Sequence, residues 1–174
     1  MNHTEHLPPV NVLEPLNLTV NADPDSTTRI LAYLGALLTS IVAGIHLIHP
    51  SHAVPRLLII VSADPTLLVF DPRPLAFVVS GFGLLVGLAA SRSAQNSDPY
   101  YVAGILLAIV YVVGYFAWHF TGHGGFLPGR EPLLHGLSPL ENVIAHLTGE
   151  PWAAIAKGTE LAMIAVLGVL YFRD

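Results

Sequence analysis

Hydrophobic and polar positions alternate along this chain on a coarse scale, with four apolar runs separated by polar breakers. The runs are ILAYLGALLTSIVAGIHLI at 30–48, LAFVVSGFGLLVGLAA at 75–90, YYVAGILLAIVYVVGYFAW at 100–118 and WAAIAKGTELAMIAVLGVLYF at 152–172. A membrane-spanning helix needs roughly 20 predominantly apolar residues. The first, third and fourth runs meet that length, and the second reaches it by extending from Pro74 to Ser91. The pattern predicts an all-α integral membrane bundle of four transmembrane helices, with spans at 30–48, 74–91, 100–119 and 152–172. Pro74 and Pro151 open their runs, where a missing N–H costs a helix nothing. Tyr100, Tyr101, Trp118, Trp152 and Tyr171 sit at run ends, as an interfacial aromatic belt requires.

Before the first span lies a polar tail at 1–28, rich in Pro, Asn and Asp and without Lys or Arg. It has neither the basic segment nor the apolar core of a secretory leader, and its composition predicts a flexible segment. Asn2-His-Thr4 and Asn17-Leu-Thr19 match the glycosylation pattern. The spans and the tail define the domain organisation, with the membrane domain at 29–174.

Because four spans alternate in direction, the connections 50–73 and 120–151 lie on one side, here the loop side. The termini and the short turn near 92–99 lie on the other. Ser138-Pro-Leu-Glu141 is a capping box with proline at the first helical position. Leu140, Val143, Ile144 and Leu147 follow at helical spacing, and Gly149 closes the segment. A short amphipathic surface helix on the loop side is expected there. Leu57–Val61 and Thr66–Phe70, on either side of Asp64-Pro65, fit a hairpin or a broken interfacial helix. Small residues recur at four-residue spacing in Ala36, Ser40 and Gly44, in Gly83 and Gly87, and in Gly104 and Ala108. Such faces let membrane helices approach closely, within the bundle or in a homo-oligomer or membrane complex. Arg29, Arg92 and Arg173 adjoin the spans on the terminal side, which favours cytoplasmic termini in a multi-pass protein of the cell membrane.

Composition sharpens this picture. Of 174 residues, 53% are hydrophobic and only 11% charged, less than half the roughly 25% charged residues of a soluble domain; the mean hydropathy is +0.62. Cysteine is absent, which removes disulfides, thiolate catalysis and cysteine-ligated metals. The net charge of −5 comes from scattered acids, and no basic patch points to nucleic acid. The bilayer is the expected partner. Lys157 is the sole lysine among seven cationic residues, a bias compatible with a salt-adapted host.

Nine histidines are present, and their placement is uneven. His46, His49 and His52 fall where the first span ends, and Pro50 disfavours helix at His49. His119 and His123 fall where the third span ends among Gly122, Gly124 and Gly125. His135 and His146 belong to the connection on the same side. Span counting alone therefore gathers seven histidines at one face, leaving only His3 and His6 in the tail. His46 and His49 are spaced i, i+3 and His119 and His123 i, i+4, which align each pair on a helix face. Imidazole suits zinc or copper. The expected metal ligands are His46, His49, His119 and His123, with Asp64, Asp71, Glu131 or Glu141 as carboxylate support. Haem is the alternative cofactor, with His46 and His119 as axial ligands and Gly44 and Gly114 leaving room for the macrocycle. A structural role is the competing account, since a helix C-terminus favours a cation by about 0.3–1 kcal/mol.

Lys157 and Glu160 lie inside the fourth span. Charged groups there usually face the bundle interior or a cavity, as an ion pair, a metal ligand or a proton carrier. Three functions remain open: a metal- or haem-binding membrane protein, an accessory subunit with structural histidines, and a small proton- or cation-coupled transporter using Glu160. His119-x-x-x-His123 lacks the glutamate of a zinc-protease HExxH, and no serine has a GxSxG setting. GHGGF at 122–126 is not followed by a lysine or preceded by a strand, so it is not a phosphate loop.

Overall fold

The computed structural model describes residues 26–49 and 53–173. They form six α-helices, α1 (Ser26–Ile48), α2 (Val54–Ala63), α3 (Arg73–Ser91), α4 (Asp98–Phe120), α5 (Pro139–Gly149) and α6 (Pro151–Tyr171), with a 3-10 turn at Pro65–Val69. No strand occurs among the described residues. Four helices, α1, α3, α4 and α6, are long and apolar enough to cross a membrane. At 1.5 Å per residue their lengths of roughly 28–35 Å match a hydrocarbon core of about 30 Å. His52, His3, His6, both glycosylation motifs and the tail through Asp25 lie outside the described residues; Ser26–Thr28 form the first turn of α1.

Local chemistry sets the element ends. The capping box forms as the sequence predicts: Ser138 Oγ accepts from the Glu141 N–H, and Glu141 Oε2 accepts from the Ser138 N–H at 2.9 Å. Between the two alternatives for 57–70, the chain adopts the broken helix. Asp64 Oδ1 accepts from Thr66 N–H at 2.9 Å and from its hydroxyl at 2.7 Å, while Pro65 removes the N–H that would continue α2.

The helices pack in the spatial order α3, α1, α6, α4, while α3 and α4, neighbours in sequence, touch only sparsely. The core contains Val42, Ala43, Leu84, Ala108, Met163 and Leu167. On α1 the buried positions are Gly35, Thr39, Val42, Ala43 and His46, one stripe at helical spacing. Glycine allows close approach at Gly104 in α4, where a Cβ would come within 2.8 Å of Leu167. The Gly83/Gly87 pair behaves differently: a Cβ at either meets nothing within 4 Å among the described residues, so this GxxxG is not spent on packing between the described helices. Large apolar side chains such as Val79, Phe82, Leu106, Val110 and Phe116 face outward, as contact with lipid requires.

Candidate metal centre

α4 ends one residue after His119 because the chain turns through three left-handed residues, Gly122 (φ 67°), His123 (φ 54°) and Gly124 (φ 82°). The glycines are demanded twice over. Their φ values disfavour a side chain, and a Cβ on Gly124 would collide with the Trp118 ring while one on Gly122 would meet the Pro132–Leu133 backbone. The loop is then fastened from outside. Arg73 stacks over Trp118 at 3.5 Å from the ring centroid, with Arg130 at 4.9 Å. Asp71 binds Arg73 through two 2.8 Å hydrogen bonds and lies 3.9 Å from Arg130. Arg130 donates to the His123 carbonyl at 2.7 Å. The two long connections are thus tied together around Trp118, and the tie fixes where His123 sits.

α5 brings the third imidazole. Asn142, fully buried, donates from Nδ2 to the His119 carbonyl at 2.6 Å. His146, one turn later on the same face, stacks over His119 at 4.7 Å between ring centroids. His119, His123 and His146 each offer a ligand atom, and these three atoms all lie within 4.8 Å of one another. His135 joins at the edge, its Nε2 hydrogen-bonded to His123 Nε2 at 3.1 Å, one ring donating and the other accepting. Two nitrogens on one tetrahedral zinc at about 2.0–2.1 Å are separated by roughly 3.3–3.4 Å, so that pair already stands at co-ligation distance. His123 and His135 are the only non-glycine residues with positive φ among those described, and both are in the cluster. Histidine enters this region more readily than most residues, yet holding two there costs energy that surrounding contacts must offset.

Two of the rings have their second nitrogen engaged. His119 Nδ1 lies 3.0 Å from the Tyr115 carbonyl, and His146 Nδ1 2.8 Å from Glu150 Oε1. A carbonyl and a carboxylate oxygen only accept, so each Nδ1 donates a proton, and in the neutral ring Nε2 is the nitrogen that keeps its lone pair. Burial pushes the His123 imidazole down to about 4, and the neighbouring His119, His146 and His135 push the same way. His49 is also lowered by burial, against the raising influence of the Glu150 carboxylate, which places the end of α1 near the same face.

His46 is not one of the three converging residues. It is turned into the bundle, its ring 3.7 Å from that of Tyr111 and edge-on to Phe77 at 4.9 Å. Its Nε2 lies 3.5 Å from Glu160 Oε1. Glu160 is fully buried and pairs with Lys157 through its other oxygen; Lys157 Nζ also donates to the Tyr111 carbonyl at 3.1 Å. Tyr111 in turn donates to Ser80 Oγ. The structure therefore separates His46 and His119, expected on one ligand, into two neighbourhoods.

The carboxylate beside the outer cluster is Glu150. Of the four acids named from the sequence, Asp71 holds arginines, Asp64 caps a turn and Glu141 closes the capping box, while Glu131 is exposed. Glu150 was readable in principle from its i, i+4 spacing to His146. Comparison with protein-family models, curated proteins and solved structures finds no match for this chain.

Proposed function

We propose that this membrane protein binds a transition-metal ion, zinc or copper, at the loop-side face. His119, His123 and His146 are the ligands, and His135 or water completes a tetrahedral site. The observation that supports this most is the convergence of three imidazole ligand atoms from three separate segments, two of them oriented through Nδ1 by a carbonyl and a carboxylate. That outer orientation is the usual accompaniment of a histidine–metal bond. An unprotonated imidazole nitrogen is a Lewis base, and a transition-metal cation is the occupant that suits a space where several of them converge. His49, just past the end of α1, belongs to the same face as an outer contributor. The haem reading needs His46 and His119 on one macrocycle, and the engagement of His46 with Glu160 and Tyr111 speaks against it. Termini in the cytoplasm, with Arg29, Arg92 and Arg173 at that boundary, complete the reading for a cell-membrane protein.

The test is metal analysis and zinc or copper titration of the purified chain in detergent. One equivalent per chain is expected. His123→Ala or His146→Ala should abolish tight binding, and Glu150→Gln should weaken it about 10–100-fold. Binding that survives both histidine substitutions sinks the assignment.

A second reading has its own support. Glu160 is a fully buried carboxylate in contact with both His46 and Lys157, a constellation able to relay a proton inside the bundle. In that reading Glu160→Gln stops pH-gradient-driven proton uptake by liposomes containing the protein.

A further inference from the structure

The imidazoles of the outer cluster are graded from inside to outside. His119 is buried, His123 and His146 are half-buried, and His135 is exposed. The set of ligand atoms within 4.8 Å of one another stops at His119, His123 and His146. His135 stands outside that set and touches it through the hydrogen bond to His123 Nε2, its ring centroid 5.1 Å from that of His123 and 5.9 Å from that of His146. The turn that carries it has a demanding backbone. The Leu137 N–H donates to the Leu134 carbonyl at 2.9 Å, and the two residues between them, His135 (φ 55°) and Gly136 (φ 78°), both have positive φ. That is the signature of a type I′ turn, whose first central position is ordinarily Asn, Asp or Gly. Histidine is a costlier choice there, and a residue held in such a conformation points to a role for its side chain.

From this arrangement we infer that His135 is the entry ligand of the metal centre: it takes a hydrated transition-metal ion from the loop-side solution and, together with His123, passes it inward to His119 and His146. The inference rests on the triad as the metal site and adds that its ion is exchanged with solution, not permanently held. His135 and His123 bring two Nε2 atoms to 3.1 Å on the exposed side, close to the roughly 3.3–3.4 Å between two nitrogens on one tetrahedral zinc. They form a landing place that an ion from solution meets first. His123 belongs both to this pair and to the triad, so the ion changes partners without leaving that ring. Written for four-coordinate zinc, the arriving ion exchanges two waters for His135 and His123. His146 and His119 then displace His135 and one further water, and the last water keeps the fourth position. The charge on the ion is unchanged. The hydrogen shared by the two Nε2 atoms moves to Nδ1 of the ring that donates it, an exchange that solvent performs at exposed His135.

The experiment uses the purified full chain in detergent and zinc ion, with stopped-flow uptake followed by a zinc indicator and release followed in excess chelator. His135→Asn is the test variant, because asparagine suits a type I′ turn better than histidine and removes the imidazole. Its thermal midpoint without metal should equal or exceed that of the wild type. Zinc uptake and chelator-driven release should both slow roughly tenfold, leaving their ratio, the dissociation constant, within about threefold. Unchanged rates overturn the inference. So does faster release with a greatly weakened dissociation constant, which marks a resident fourth ligand, and so does a loss of folded protein, which marks a structural residue. A second measurement needs no variant. In the zinc-loaded wild type, diethyl pyrocarbonate should still modify His135 while His123 and His146 are protected; protection of His135 overturns the inference. The parent reading fails separately. A wild type that takes up no zinc removes the site and the entry ligand together, whereas one bound equivalent with unchanged rates in His135→Asn removes the entry ligand alone.

Discussion

The two histidine neighbourhoods differ in how they settle their charge. The inner one, around His46, is self-neutralising: Glu160 sits between His46 and Lys157, and the Tyr111 carbonyl accepts a hydrogen bond from the lysine ammonium. Each charge there has an opposite or polar neighbour, in a medium where an unpaired charge is expensive. The outer one gathers like groups. His119, His123 and His146 face one another with His135 at the edge, and Glu150, the carboxylate beside them among the described residues, is spent on the far nitrogen of His146. Burial keeps His123 neutral. A closed set of opposite charges is what packing alone produces, whereas a convergent set of lone pairs asks for a cation from outside. Histidine count and proximity to a helix end do not distinguish these cases; the partners do.

The largest effect should come from breaking the inner set. Glu160→Ala leaves Lys157 buried without its counter-charge and should destabilise the protein by about 3–5 kcal/mol, read as a loss of folded protein or a large fall in thermal midpoint. Replacing both members, as Lys157→Met/Glu160→Leu, should recover most of it. Recovery that leaves zinc affinity unchanged would confirm that the two neighbourhoods are independent.

The outer set should respond to metal and acid. With zinc at a hundred times its dissociation constant the fold should gain about 2.7 kcal/mol, and this gain should vanish with chelator or as pH falls and the imidazoles protonate. In chelator, His123 itself reports. Its folded value of about 4 lies below the ordinary 6.5, so the folded state binds fewer protons between those limits. Its contribution is full above pH 6.5 and is lost as pH drops towards 4. The thermal midpoint of the wild type should therefore fall relative to His123→Gln across that window; parallel curves would contradict the assigned burial.

The smallest effect should come from the tie that positions His123. Asp71→Asn weakens the hold on Arg73 and Arg130, at a cost of about 1.5–3 kcal/mol, and should lower zinc affinity without touching the Glu160 pair. Burial raises the Asp71 carboxyl, but Arg73 and Arg130 outweigh it and the net shift is downward. This stabilisation is present above the ordinary carboxylate value and disappears as pH falls through the lower folded one. Acid unfolding of the wild type and of Asp71→Asn, followed below pH 4, checks the sign.

What the sequence determined by itself follows from local rules. Run length gave the four long apolar helices, prolines and the Ser138–Glu141 box gave helix starts, and span parity gave the expectation that seven histidines share the loop side, of which His52 lies outside the described residues. None of these requires knowing a neighbour. The tertiary structure decided which histidine meets which. Helical periodicity fixes the angle between two residues on one helix but not the rotation of that helix against the others, and packing turned His46 inward onto Glu160. Spacing along α4 placed His119 and His123 on one helical face, yet the helix stops at Phe120. Their rings come within 5.2 Å through a left-handed loop pinned by Arg130, Asp71 and Trp118, contacts between residues far apart in the chain. His146 entered the centre for the same reason. The bond from Asn142 to the end of α4 spans 23 residues, a separation over which hydrophobic pattern carries no information about distance.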